Sequence, residues 1–205
     1  AIMLVPQCPT DKAWLGSIQD VLVALLKTYI DRGVVDVDKV YIFGGSMGGT
    51  GTWGMLSNHS YLFASAMPVA GNPIGLDAEE ISRVPIYTVM GTADKIMKIS
   101  NVETFLAEMD NYKAEYKFDI EDGWTHEDVC KKSYTNERLA WVFKHTKKQP
   151  TGIASVSTDD GKLVYTTWYS INGQRLTSEP TLKGVYVRTC RYSSGKVITD
   201  KYYKY

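Results

Sequence analysis

Residues 39–54, KVYIFGGSMGGTGTWG, set the tightest limit on what this chain can fold into. VYIF reads as a buried strand, and six glycines gather around one serine, Ser46, directly after it. A strand that becomes a helix within a few residues needs positions without a side chain where the two elements pass each other. The spacing G-x-S-x-G over Gly44–Gly48 therefore predicts a strained strand-to-helix turn with the Ser46 hydroxyl at its tip. The N–H of Met47, first in the following helix, then points to the space beside that hydroxyl. Two other readings stand beside this one: a glycine-rich turn that only packs well, and a loop that cradles a phosphate. For the second, the Walker lysine is absent and no G-x-G-x-x-G aligns here with its distal acid.

The same alternation continues to about residue 150. IMLV (2–5) and VYIF (40–43) are followed by FASAMPVA (63–70), PIYTVMG (85–91) and YKFDI (116–120), with amphipathic stretches between them. Strand and helix in turn predict a parallel sheet covered by helices. In the first helix, from Ser17 to Arg32, Ser17 is the expected N-cap and Gly33 suits the left-handed position after the end. Ile18, Val21, Leu22, Leu25, Leu26 and Tyr29 form one stripe, expected to face the core. Further helices are expected from about Asn101 and from Asn136 to Lys144. After Pro150 the pattern turns to β, with hairpin turns expected at Asp160-Gly161 and Asn172-Gly173. This divides the chain into 1–149 and a β-rich module over 150–205.

Charge and composition exclude several functions. A chain of 205 residues with 44% hydrophobic content can bury a core. Its 23 basic and 23 acidic residues balance without a run of like charge, so the footprint of a nucleic-acid binder is missing. The longest apolar run, VLVALL at 21–26, is far short of the roughly 20 residues that span a bilayer, and no membrane span is expected. Cys8, Cys130 and Cys190 have no CxxC spacing, which argues against a zinc site and fits buried free thiols.

A serine is a poor nucleophile until a base takes its proton and a carboxylate orients that base. Asp94 ends the strand run PIYTVMGTAD, which puts its carboxylate at the same sheet edge as Ser46. Asp110 ends a helix, Asp119 lies inside a strand pattern and Asp122 in the turn after it. Among the histidines, His59 follows a helix and His145 sits near a helix end, while His126 lies in a loop after the last strand run. The order Ser46, Asp94, His126 is that of hydrolases built on a doubly covered sheet.

VPQCP at 5–9, Trp14, VDKVYIFGGSMGGTGTW, LFASAMPVAG, VPIYTVMGTADKIM and His126 together resemble the esterases related to polyhydroxybutyrate depolymerases and feruloyl esterases. These are carbohydrate-esterase-like and border on prolyl-oligopeptidase-type hydrolases. The resemblance covers residues 1 to about 148. It implies an α/β-hydrolase-type, mostly parallel sheet with helices on both faces. It also implies Ser46 as nucleophile, Asp94 as acid, His126 as base and the Met47 N–H as oxyanion donor, with no cofactor and no metal. The substrate implied is a small ester or an acylated polysaccharide of the feruloyl or acetyl type. A serine peptidase, or a non-catalytic carbohydrate-binding surface protein that keeps a degenerate core, is the alternative. Two departures stand out. Trp124 precedes His126, where the family commonly has a tryptophan following it. Family members also begin with several more strands and a loop that donates a second oxyanion N–H; here Ala1 is expected inside the fourth strand, as in an N-terminally truncated hydrolase. The tail, WYSINGQRL, PTLKGVYVR and GKVITDKYYKY, is similar to C-terminal modules that address proteins to type IX secretion. That likeness implies a secreted or cell-surface protein of a Gram-negative bacterium with the secretion machinery as partner.

Overall fold

The computed structural model describes residues 2–147, 163–193 and 197–204. The chain divides into two compact units, Ala1–Lys148 and Gln149–Tyr205.

The first unit is built on four parallel strands, β1 (Tyr41–Gly45), β2 (Ser65–Val69), β3 (Ile86–Gly91) and β4 (Tyr116–Glu121), in spatial order β1-β2-β3-β4. Each strand takes the place next to its predecessor because a helix returns the chain over the sheet. The returning helices are α2 (Met47–His59), the short α3 (Ala78–Ile81) and α4 (Ile99–Met109); α1 (Ser17–Asp31) precedes β1, and α5 (His126–Lys132) and α6 (Asn136–Phe143) follow β4. Every residue of β2 and β3 is buried, as expected for inner strands covered on both faces. All five residues of β1 are half-buried.

Two cores form, one on each face. Trp53, Leu56, Ile81, Phe105 and Met109 pack with Ile86 and Met90 on one side, joined by Leu22, Val23 and Leu26 of α1. Met67, Val69, Tyr87 and Val89 meet Val129 of α5 and Val142 of α6 on the other. Each side chain of this size contributes about 1.5–3 kcal/mol by leaving water.

Two N-terminal expectations are corrected. Residues 2–5 form no strand, and Ile2, Met3 and Val5 are exposed. An apolar run becomes a strand only where a neighbouring strand takes up its backbone groups. In α1, Gly16 (φ 60°) is the N-cap and Ser17 the first helical residue. The expected stripe is met in part: Leu22 and Leu26 face the core, but Gln19 is buried beside them while Val21 is 62% exposed. Gln19 is held there by the Trp14 carbonyl (3.2 Å) and by the Asn58 amide, which donates to it (2.7 Å). Burial of a satisfied amide costs little, so the helix rotates to pack Gln19 against Gly54.

The second unit is an antiparallel sheet of β5 (Leu163–Ser170), β6 (Arg175–Leu176), β7 (Gly184–Tyr192) and β8 (Val197–Lys204), ordered β6-β5-β7-β8. Trp168, Arg188 and Asp200 stand in one row across three strands, and Arg188 Nε donates to Asp200 Oδ1 at 3.0 Å. The turn at Asn172-Gly173 is a loop over Ile171–Gly173, closed by Ser170 N–H to the Gln174 carbonyl (2.8 Å), with Gly173 left-handed at φ 81°. The extra residue relative to a two-residue turn gives Gly173 the left-handed place at its end. The turn expected at Asp160-Gly161 lies outside the described residues.

Candidate active site

Ser46 joins β1 to α2 with φ 57° and ψ −119°, a region that residues with a side chain rarely occupy. Its conformation is held from both sides: the Ser46 N–H donates to the Val69 carbonyl of the neighbouring strand (3.1 Å), and the Ser46 carbonyl accepts from Thr50 N–H (3.0 Å). The glycines make this approach possible. A Cβ on Gly44 would lie 2.1 Å from the Gly48 carbonyl oxygen, and one on Gly49 would lie 2.4 Å from the Val69 carbonyl oxygen. Gly48, the last residue of the G-x-S-x-G string, has nothing within 4 Å of that position. Close approach at Gly44 and Gly49, one of them outside the motif, therefore shapes the turn.

The three sequence-predicted side chains meet. His126 Nε2 lies 2.7 Å from Ser46 Oγ, and His126 Nδ1 lies 2.8 Å from Asp94 Oδ2. Asp94 is fully buried and His126 17% exposed at the side chain. Burial raises the Asp94 carboxyl, but the Met97 N–H (2.9 Å), His126 and the Ile96 N–H (2.8 Å) more than reverse this and leave it below its ordinary value. An ionised Asp94 accepts a hydrogen bond from Nδ1–H, which keeps the proton on that nitrogen and leaves Nε2 free to accept one from the Ser46 hydroxyl. Met47 opens α2, and N–H groups of a first helical turn have no acceptor within the helix. Among the described residues the Met47 N–H is thus left as a donor next to Ser46.

His126 departs from its expected place in a loop: it is the first residue of α5. Thr125 caps the helix, with its hydroxyl accepting from Asp128 N–H (3.3 Å) and its own N–H donating to Asp128 Oδ2 (3.1 Å). The string T-H-E-D is a capping-box signature readable in the sequence. It fixes the direction in which His126 leaves the backbone.

The segments bearing Asp94 and His126 are tied together by groups the sequence reading missed. Thr92 N–H donates to the Glu121 carbonyl (3.0 Å), Ala93 N–H to the Trp124 carbonyl (3.0 Å) and Gly123 N–H to Thr92 Oγ1 (2.7 Å). Gly91 is pressed so close that a Cβ there would lie 2.2 Å from the Trp124 carbonyl oxygen. Backbone pairing between two loops leaves no residue-type signal except that glycine. Cys130, one helical turn after His126, has its Sγ against Gly45. Burial, with Asp94 nearby, pushes this thiol up, away from the reactive thiolate form.

No curated relative matches the chain. Among solved structures, it is similar to a thermostable esterase with a TM-score of 0.64 and 22% identity over 69% of this chain. It is also similar to Porphyromonas gingivalis dipeptidyl peptidase 4, with a TM-score of 0.52 and 18% identity over 62% of this chain. The matched regions span 43% of the esterase and 22% of the peptidase. At these identities the likeness is one of fold, and that fold is α/β-hydrolase-like. A family profile matches residues 9–147, which hold Ser46, Asp94 and His126 together. The chain therefore belongs to the Dienelactone hydrolase family.

Proposed function

We propose that the chain carries the catalytic centre of a serine esterase that cleaves carboxylic esters through an acyl-enzyme. The observation that carries this reading is the series Ser46 Oγ, His126 Nε2 at 2.7 Å, His126 Nδ1 and Asp94 Oδ2 at 2.8 Å. As Ser46 Oγ bonds to the ester carbonyl carbon, its proton passes to Nε2. The carbonyl oxygen takes up negative charge beside the Met47 N–H. Collapse breaks the bond to the alcohol, which leaves with the proton from Nε2. Water, deprotonated by the same nitrogen, then releases the acid and restores Ser46. Asp94 keeps Nδ1 protonated and offsets the charge on the ring in both halves.

The finer reading is an ester of the feruloyl or acetyl type, on a polysaccharide in a secreted protein with the C-terminal unit as its address. It rests on the sequence resemblance. It gains support from exposed apolar side chains near the ends of three successive strands: Met47 after β1, Ile74 after β2 and Ile96 after β3. They suit an aromatic or short apolar acyl group.

The test is hydrolysis of p-nitrophenyl acetate and of methyl ferulate, with fluorophosphonate labelling mapped by mass spectrometry. Label on Ser46, and loss of nearly all turnover in Ser46→Ala, are expected. Preference for an anilide over the matching ester would replace the esterase by a peptidase, and absence of label and turnover would leave a non-catalytic hydrolase fold.

A further inference from the structure

Arg138 is a charged residue on α6 whose side chain is only 8% exposed. Its Nε donates to Asp119 Oδ2 (2.9 Å), its NH2 group pairs with both Asp119 and Glu121, and NH1 donates to the Ser133 carbonyl (3.4 Å). Tyr87 Oη adds a bond to Asp119 Oδ2 at 2.8 Å. The guanidinium also lies 5.9 Å from the ring centre of Trp124. These partners bracket one segment. Glu121 ends β4 and Ser133 caps the C-terminus of α5, and between them lie Trp124, whose carbonyl holds the Asp94 turn, and His126.

The guanidinium is buried while the Asp119 and Glu121 side chains are 35% and 30% exposed, and an ion pair so placed is a poor device for stability, because the desolvation of the arginine offsets much of what the partly screened attraction contributes. What it supplies is fixed geometry, because a planar guanidinium satisfies several acceptors in only one arrangement. We propose that Arg138 is a positioning residue that clamps both ends of the segment 121–133 and thereby holds His126 in line with Ser46 and Asp94. This rests on the esterase reading given above. Arg138 does not touch the reacting atoms; it acts through the Glu121 end, the Trp124 ring and the Ser133 carbonyl.

A lysine at this place keeps one charge contact but cannot span the carboxylates and the carbonyl together. Arg138→Lys and Arg138→Ala are therefore assayed with a p-nitrophenyl ester, with active sites counted by fluorophosphonate titration. In both, kcat per titrated site is expected to fall about 10–100-fold, the range for small misplacement of a reacting group, with KM within about twofold. A groove of about 560 Å³ runs along Arg138 and Trp124, so methylguanidinium can reach the space opened in Arg138→Ala. It is expected to restore part of kcat there and none in Arg138→Lys. Unchanged kcat per site, with only a lower Tm, would reduce Arg138 to a stabilising residue and overturn the proposal. A rise in KM at constant kcat would overturn it in favour of substrate binding.

A readout without turnover separates this proposal from the esterase reading. The low-field proton signal of the His126 Nδ1–Asp94 hydrogen bond should be present in the parent chain and lost or broadened in Arg138→Lys. That loss supports the clamp even if the parent chain hydrolyses no ester. Persistence of the signal unchanged in Arg138→Lys overturns the clamp even if the esterase reading holds.

Discussion

Asp94 carries two duties that can be measured apart. Its carboxylate orients His126 and is itself held by the N–H groups of Met97 and Ile96. Asp94→Asn keeps the size of the side chain but lets His126 adopt the wrong tautomer. Turnover should fall on the order of 10³–10⁴-fold in steady-state kinetics, with the circular dichroism spectrum unchanged. The pH dependence of stability follows from the lowered carboxyl pKa. The folded value lies below the unfolded one, so the contribution is complete above the ordinary carboxylate range and is lost as pH falls through the folded value. Denaturant titrations should show the parent chain losing stability over that acid window and Asp94→Asn losing less. The meeting of Ser46 and Asp94 at one sheet edge was legible in the sequence because each follows a buried strand run in a small-residue turn. Arg138 was not legible, because an arginine inside a helix reads as solvent-facing until the strand carboxylates of Asp119 and Glu121 are seen beside it.

At the level of elements, the junction of β1 and α2 depends on two backbones touching. Gly49 faces the Val69 carbonyl oxygen at 2.4 Å and the Gly71 Cα at 3.1 Å from where a Cβ would sit, and neither can rotate away. Gly49→Ala should therefore cost about 1–3 kcal/mol in urea unfolding and lower Tm. Gly48→Ala meets open space within the helix and should be neutral or stabilising by about 0.5–1 kcal/mol. Equal effects would show that the junction has slack. The strands were legible because inner parallel strands are continuous apolar runs, and β2 and β3 are buried throughout. The facing of α1 was legible only in part, through Leu22 and Leu26. Its apolar stripe pointed to Val21, whereas the fold buries Gln19, whose partners Trp14 and Asn58 are brought near only by folding. The helical start at His126 was legible in principle through Thr125 and Asp128. The run at 2–5 shows the converse: composition fits a strand, but pairing decides, and no strand forms there.

On the scale of the molecule, the strand that delivers Ser46 is also the outermost strand described on its side of the sheet. Among the described residues β1 pairs with β2 alone, through Tyr41↔Ser65 to Gly45↔Val69, and its residues are half-buried where those of β2 and β3 are fully covered. An outer strand keeps one row of N–H and C=O groups without a ladder partner, and such strands open at lower cost than inner ones. The steadiness of Ser46 therefore depends on α2 and the Val69 carbonyl on one side, and on whatever lies along the other edge. Hydrogen exchange followed by mass spectrometry should show the slowest amides in residues 65–69 and 86–91, with 41–45 exchanging faster. Addition of the fluorophosphonate should slow exchange at the β1–α2 junction, because a phosphoryl group on Ser46 engages the N–H groups of the first helical turn. Protection of 41–45 equal to that of 65–69 without any ligand would mean that the outer edge of β1 is already covered, by another strand or a second copy of the chain. In that case protection of β1, but not of β2, should decline on dilution if the cover is a second copy.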